Sequence, residues 1–598
     1  MSLSYRPEID GLRALAVSAV LVFHAFPEVL PSGYLGVDVF FVLSGFLMTR
    51  TITAGLRTET FSFRDFFSRR VRRIFPALLP VSSLFLVLGW FFLFEDEFAG
   101  LRAAISAGSF FYSNWYALGH FSHYFAKESE IVPFLHLWSL SVEEQFYLLI
   151  PVILWGSHRL RLGLSRVLSL LTLLSLVYFV YAKFSHPLFA FFATPVRIWE
   201  LTWGGVVALR EQNKEHRELY SVLGAVILGT AIFLPPSWGQ SPLPVFLAVA
   251  SSGLLLAAAA SAAVHRRIFS QPLLVALGRQ SYSIYLWHLP LLSFSRIVYA
   301  SPLPVSYRCL ILLLTLILGY FSWRWIEGPA RRSKFVWPWV FLLALIGALS
   351  GSQGFSSLDA PYPRAETPAD PSPGLRPSQV TYSRWPRGRA PELVLIGDSH
   401  AEDKIHGIWK KDHWENWGFF IQSSCPVVTG IRDHYRPDCP RKMESFVRKV
   451  VSDPAVTTVL LAHHAMDIRR RYGSVENFKT GLRNVLTALE AHRKRVVFLL
   501  DVPRVEVNLS DCRRREELCR VPRIVFLREP GRQILRTLRG EFPGVTFFDP
   551  APAFCDGGNC RLIRAGELLY SDSNHLSARG SEVYVEALLK TGLLEPLE

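Results

Sequence analysis

The 598-residue sequence predicts two joined parts: a polytopic α-helical membrane domain of about eleven spans, then an extracytoplasmic three-layer α/β domain. Three observations carry that prediction. Hydrophobic residues make up 50% and charged residues only 19%, against about 25% charged in an ordinary soluble domain, and mean hydropathy is +0.25. Arg-rich loops punctuate the apolar runs. Six of the seven cysteines lie after residue 420. A wholly soluble protein, a disordered chain and a small disulfide scaffold are excluded. The net charge of +15 does not point to nucleic acid, because much of it lies in short loops where the positive-inside rule puts it.

A membrane span needs about 20 mostly apolar residues. Twelve runs qualify, centred near residues 20, 44, 85, 108, 150, 173, 202, 227, 253, 290, 317 and 345. The first has no small-residue cleavage site, so it is expected to be retained as a span. The basic loops are Arg69 to Arg73, His158 to Arg166, Arg210 to Arg217, His265 to Arg267 and Arg331 to Lys334. All five belong in the cytoplasm, and twelve crossings put some of them outside. Omitting the run near 108, which carries Arg102 and Asn114, repairs every loop at once. Eleven crossings remain, with the N-terminus inside and the C-terminus outside, and the segment 98–118 is expected to lie in or on the outer half of the membrane.

The outside end holds Cys425, Cys439, Cys512, Cys519, Cys555 and Cys560. An even set without a CxxC pair reads as disulfides in an oxidising compartment rather than a metal site. The simplest pairing is between nearest neighbours: 425–439, 512–519 and 555–560. The expected organisation is a membrane domain over 1–354, a Pro-rich linker or extension over 355–391, and an outer domain over 392–598. In the outer domain, runs at 392–396, 457–461, 495–500 and 545–548 read as strands and 577–593 as a closing helix. That alternation predicts a parallel sheet between helices, with ligands at the carboxyl ends of its strands.

At the end of the first of these strands stands Gly397-Asp398-Ser399-His400, and far downstream Asp572-Ser573-Asn574-His575. A serine nucleophile needs a base within hydrogen-bond reach and a group that orients the base. GDS at the first strand and DxxH before the last helix resemble the SGNH hydrolase superfamily over residues 390–595. The resemblance implies Ser399 as nucleophile, His575 as base and Asp572 as its partner. That family also takes oxyanion donors from the serine N–H, a glycine and an asparagine. Leu461-Ala462-His463-His464 stands where the asparagine is expected, so His463 or His464 is either a substitute donor or structural.

The first span carries Arg13 and His24, which share a helical face about 16 Å apart. Ionisable residues inside spans are costly and mark function. Asp38 follows in GVDVFFVLSGF. Arg69, Arg70 and Arg73 form either a topogenic stop or a phosphate clamp, since guanidinium forks match phosphate oxygens. His136, Glu143 and Glu144 fall in HLWSLSVEEQFY, and SYSIYLWH follows at 281–288. Over residues 5–330 this set resembles the acyltransferase family 3 membrane proteins. With the outer domain, the whole chain resembles bacterial O-antigen and polysaccharide O-acetyltransferases.

The resemblance implies a cytoplasmic acyl-CoA donor, usually acetyl-CoA, and an extracytoplasmic glycan acceptor such as lipopolysaccharide O-antigen, in a bacterial inner membrane with the SGNH domain in the periplasm. It implies His24 as the essential membrane residue and Arg13, Arg69, Arg70 and Arg73 on the donor, with Asp38, His136, Glu143 and Glu144 as further members of the site. The expected partners are acyl-CoA, glycan and membrane lipid, with no metal and no nucleic acid. The competing class is a transporter or flippase carrying an independent outer esterase; donor consumption separates the two.

Overall fold

The computed structural model describes residues 5–594 apart from 121–131, 211–215, 236–237, 239–240, 259, 301–302, 353–380, 385–390, 412–416, 465–467, 503–504, 506–508, 528–533 and 535–536. The chain forms two compact units, Met1–Ala365 and Glu366–Glu598.

In the first unit a helix stands at each of the eleven predicted centres. They are α1 (Pro7–Ala25), α2 (Gly36–Arg57), α3 (Phe63–Phe92), α4 (Leu137–Arg159), α5 (Leu164–Ser185), α6 (Thr194–Leu209), α7 (Arg217–Ala231), α8 (Leu243–Ala257), α9 (Ser281–Tyr299), α10 (Val305–Ser322) and α11 (Trp337–Gly351). Among the described residues, five helical stretches are long and apolar enough to cross a membrane: Gly33–Arg57, Phe63–Phe92, Leu137–Arg159, Leu164–Ser185 and Val305–Arg332. The run near 108 breaks into helices of 15 and 8 residues, Glu95–Ser109 and Ser113–His120. At 1.5 Å per residue these reach about 22 and 12 Å, against a hydrocarbon core of about 30 Å; α7, α8 and α11, of 15 residues each, are no longer than the first, so the break at 110–112 rather than length sets this run apart.

Local sequence explains the helix ends. Helix α1 opens on Pro7, whose missing N–H costs nothing there, with Glu8 and Asp10 in its first turn opposite the helix dipole. Small residues set the packing. A Cβ on Gly45 of α2 would stand 1.7 Å from Leu201 O, and one on Gly204 of α6 2.0 Å from Val42 O. The two backbones therefore touch, as small-residue interfaces in membranes allow.

The second unit is a six-stranded sheet in the order β1-β3-β2-β4-β5-β6. The strands are β1 (Thr381–Arg384), β2 (Leu393–Gly397), β3 (Trp417–Gln422), β4 (Thr458–Ala462), β5 (Arg495–Leu499) and β6 (Thr546–Phe548). All neighbours pair parallel except β1 with β3. Alternate residues feed two cores: Leu395, Phe419, Leu460 and Val497 on one face, Val394, Phe420, Val459 and Phe498 on the other. That gives the three layers. The edge strand β1 lies in the Pro-rich stretch 355–391, most of which is outside the described residues, and β3 was not anticipated. One expectation needs correction. Disulfides join Cys425 to Cys439 and Cys555 to Cys560, but none joins Cys512 to Cys519. Cys512 lies in the helix Leu509–Arg514, and the Cys519 thiol turns to Arg515 O at 3.9 Å.

Candidate active site

Strand β2 delivers Gly397, Asp398 and Ser399 to the carboxyl edge of the sheet. A Cβ on Gly397 would meet Ala462 O at 1.9 Å, so only glycine lets β2 close on β4 here. Asp398 is buried, and its carboxylate accepts from the backbone N–H of His400 at 2.9 Å and of His464 at 3.0 Å. It shapes the turn that presents Ser399. The loop after residue 570 brings His575 across, with Nε2 2.8 Å from Ser399 Oγ and Nδ1 2.7 Å from Asp572 Oδ2. Asp572 also accepts from the backbone N–H groups of Asn574 and His575, each at 2.8 Å. Desolvation pushes its carboxyl up, but these hydrogen bonds prevail and hold it below the usual carboxylate range. An ionised Asp572 fixes the Nδ1–H tautomer of His575, leaving Nε2 to take the serine proton.

Behind this set lies a second one. Asp501 follows β5, and its Oδ2 stands 2.7 Å from both His400 Nδ1 and His464 Nδ1. The two rings stack at 4.3 Å, and Lys404 Nζ is 3.6 Å from Asp501 Oδ1. Burial alone would raise the Asp501 carboxyl; the His400 and Lys404 charges and the ring hydrogen bonds bring it well below its ordinary value. Burial alone would lower His400, yet Asp501 above all carries it up to about 9. The three groups could each offer an atom to a cation. Neighbouring ligands on tetrahedral zinc stand about 3.3 Å apart for bonds near 2.0 Å, so 2.7 Å marks a proton network instead. Sequence reasoning quoted His400 without a role and missed Asp501; an aspartate directly after an apolar strand, at the edge that carries Ser399, was the available signal. His464 is tied to Asp501. His463 packs edge-on against Phe478 and Phe498, where burial pushes it down to about 3, so it is a neutral core residue.

In the membrane unit, one cavity with about 650 Å³ of empty space is lined by Arg13, Ser44, Arg73, Glu143, Tyr147 and Tyr285 among others. Glu143 Oε2 accepts from Ser44 Oγ at 2.9 Å and Tyr147 OH at 2.6 Å. Arg70 lies over the Tyr147 ring at 5.9 Å, and Glu144 is adjacent in sequence. Arg73 lines the cavity while Arg69 and Arg70 do not; Arg69 is exposed and Arg70 half-buried, so the arginine cluster divides by burial. A second cavity, of about 560 Å³, is lined by His24, Tyr34, Asp38, Lys183, Arg197 and Tyr285 among others. Val37 and Tyr285 line both. Asp38 is committed to Arg197 at 2.8 Å, which also reaches Glu200 at 3.1 Å. His24 Nδ1 is 3.0 Å from Val20 O. Its ring lies 5.1 Å from that of His288, which lies 5.1 Å from that of His136. Tyr285 and His288 stand in SYSIYLWH, a motif noted in the sequence without roles for its members; their i, i+3 spacing puts them on one helical face.

Comparison with known proteins agrees with this architecture. Residues 6–357 match the acyltransferase family 3, described as an acyltransferase domain, and residues 368–590 match the SGNH domain found fused to it. O-acetyltransferase OatA of Staphylococcus aureus strains NCTC 8325 / PS 47 and COL is 31% identical over 354 residues, covering 55% of this chain and 58% of OatA. The chain thus matches little more than half the length of these curated relatives. The solved structure of the Salmonella ser. Paratyphi A lipopolysaccharide acetyltransferase periplasmic domain overlaps 34% of this chain and 84% of its own, with 14% identity and a TM-score of 0.27. The family match spans more than half of the chain and covers every membrane-unit residue discussed above: the chain is a multi-pass membrane protein of the acyltransferase family 3, with a fused SGNH domain.

Proposed function

We propose that the protein transfers an acyl group, acetyl in the first instance, from cytoplasmic acyl-CoA to a hydroxyl of an extracytoplasmic glycan such as lipopolysaccharide O-antigen. The observation that carries this reading is the pair of cavities meeting at Val37 and Tyr285, one with Arg13 and Arg73 in its wall, the other with His24. Arginines suit the phosphates of CoA, and His24 suits a general base or acyl carrier at the thioester. The S. aureus relatives are named O-acetyltransferases. Two disulfides in the SGNH unit favour a periplasmic location, with the N-terminus in the cytoplasm and the chain in a bacterial inner membrane.

In the outer step Ser399 Oγ attacks the carbonyl carbon of the delivered acyl group. His575 takes the serine proton and passes it to the departing group. The glycan hydroxyl then attacks the Ser399 ester, giving its proton to His575, which returns it to Ser399 Oγ as the ester bond breaks. An exposed aromatic suits a sugar ring: Tyr435 is 70% exposed on the loop between β3 and the helix Cys439–Ser452, with the Arg471 guanidinium 5.8 Å from its ring.

The test follows labelled acetyl from acetyl-CoA in membranes containing the wild type, His24→Ala or Ser399→Ala, with mass spectrometry of the surface glycan. Transfer should disappear in both variants at matched protein level. Acetyl-CoA left unconsumed by the wild type would favour the transporter class, and near-normal glycan acetylation by Ser399→Ala would reduce the outer unit to acceptor binding.

A further inference from the structure

Ser399 is followed at once by His400, whose ring runs into the protein while the serine faces the base. We propose that His400 and Asp501 form a positioning pair for His575, in which His400, held by Asp501, is the floor beneath the base and fixes the loop that carries it. The proposal rests on the reading of Ser399, His575 and Asp572 as the reacting groups.

The geometry has three parts. Asp501 Oδ2 stands 2.7 Å from His400 Nδ1 and 2.7 Å from His464 Nδ1, so one carboxylate oxygen serves two rings. On the other edge of His400, Nε2 lies 3.1 Å from Asn574 Nδ2, so the amide N–H donates to the ring nitrogen. Asn574 is flanked in the chain by the segment that supplies Asp572 and His575, and that contact therefore anchors both. Finally, the His400 and His575 rings lie 4.4 Å apart at 30°.

Every packed element contributes to the charge on His400. Asp501 comes from the end of β5 and His464 from the end of β4. Asp398, Asp403 and Lys404 come from the segment of His400 itself, and Asn574, His575 and Asp572 from the catalytic loop. Lys404 is paired with Asp403 at 3.0 Å as well as facing Asp501. The burial of His400 and Asp501, 2% and 6% exposed, keeps their interaction unscreened.

The experiment measures hydrolysis of 4-nitrophenyl acetate by the full-length protein in detergent from pH 5 to 9, in the wild type, His400→Gln and Asp501→Asn. Both variants should lose about tenfold or more in plateau kcat/KM, with KM changed less than kcat. Asp501→Asn keeps the shape of the side chain and removes the charge, so it decides the matter if His400→Gln does not fold. A plateau kcat within threefold of the wild type in a folded Asp501→Asn variant, or a loss confined to KM, would overturn the proposal, leaving His400 as packing. Wild-type hydrolysis by Ser399→Ala would instead overturn the underlying assignment of the serine.

Discussion

Replacing Asp572 by Asn removes one charge and keeps the side-chain shape. Three hydrogen bonds converge on the wild-type carboxylate: the His575 ring at 2.7 Å and two backbone N–H groups at 2.8 Å. When Ser399 gives up its proton, His575 becomes cationic beside Asp572. Opposite unit charges about 4 Å apart gain about 4 kcal/mol at an effective dielectric of 20 and about 1 kcal/mol in bulk water. Asp572 is 54% exposed, so solvent screening takes the value toward the lower end, about 2 kcal/mol or roughly 30-fold in rate. The amide also ceases to enforce the Nδ1–H tautomer, an effect that brings Asp→Asn losses in serine triads to roughly 10⁴. A partly solvated aspartate should lie between these, so kcat/KM for 4-nitrophenyl acetate hydrolysis by the full-length protein should fall about 10²–10³-fold. Ser399→Ala supplies the background rate. Activity of Asp572→Asn within threefold of the wild type, in folded protein, would refute the view that this carboxylate orients the base.

The divided arginine cluster predicts divided kinetics: Arg70→Lys and Arg73→Lys should raise KM for acetyl-CoA about tenfold by losing the guanidinium fork, while exposed Arg69→Lys should change it less than twofold. Gly45→Ala should abolish the monodisperse peak in size-exclusion chromatography, because its Cβ would meet Leu201 O at 1.7 Å and overpacking against backbone costs about 1–3 kcal/mol or more; Gly100→Ala, with nothing within 4 Å, is the matched control. Stability of the SGNH unit should fall with rising pH. His400 is raised to about 9 when folded from about 6.5 unfolded, so its contribution is fully present below about pH 6.5 and is lost as pH rises through about 9. The size is on the order of 3 kcal/mol, read as a falling melting transition in the wild type and a flatter one in Asp501→Asn.

How much of this was legible depended on the range of each signal. Helix positions in the membrane unit follow from apolar runs, and each predicted centre falls in a helix because hydrocarbon leaves a backbone few other choices. Strands β2, β4 and β5 were readable as short apolar runs ending in turn residues. Strand β3, Trp417-Gly-Phe-Phe-Ile-Gln, carries a glycine inside a short run, which weakens a strand signal, and β1 arises among prolines that suit only an edge. Ser399, Asp572 and His575 were readable because their spacing is local at each end. Asp501 was not, because its role exists only once β5 is laid beside β4 and brings it under two imidazoles. The 512–519 pairing failed for a similar reason: proximity along the chain says nothing about which way each thiol faces.

The arginines of the membrane unit fall into two energetic classes, and the division bears on where an anion belongs. Arg6 meets Glu8 at 2.6 Å, Arg197 meets Asp38 at 2.8 Å and Arg308 meets Glu28 at 2.8 Å. Each of these has a carboxylate of its own. Arg70 and Arg73 make no ion pair among the described residues, and Arg13 has only a long contact of 3.5 Å to Asp10. Buried Nε and Nη1 of Arg70 have no hydrogen-bond partner among the described residues either. Buried polar groups are nearly always satisfied, and an unpaired charge is the costliest exception. The three guanidinium groups come from two helices; Glu143 shares the cavity wall with Arg13 and Arg73 and Glu144 lies near Arg70, but neither forms an ion pair with them among the described residues, and the like charges are poorly screened. That cost is relieved by an anion with several oxygens, which a phosphorylated donor supplies and a neutral solute does not. The paired arginines hold the helices in place; the unpaired ones keep N–H donors for an anionic group, as the proposed phosphorylated donor requires.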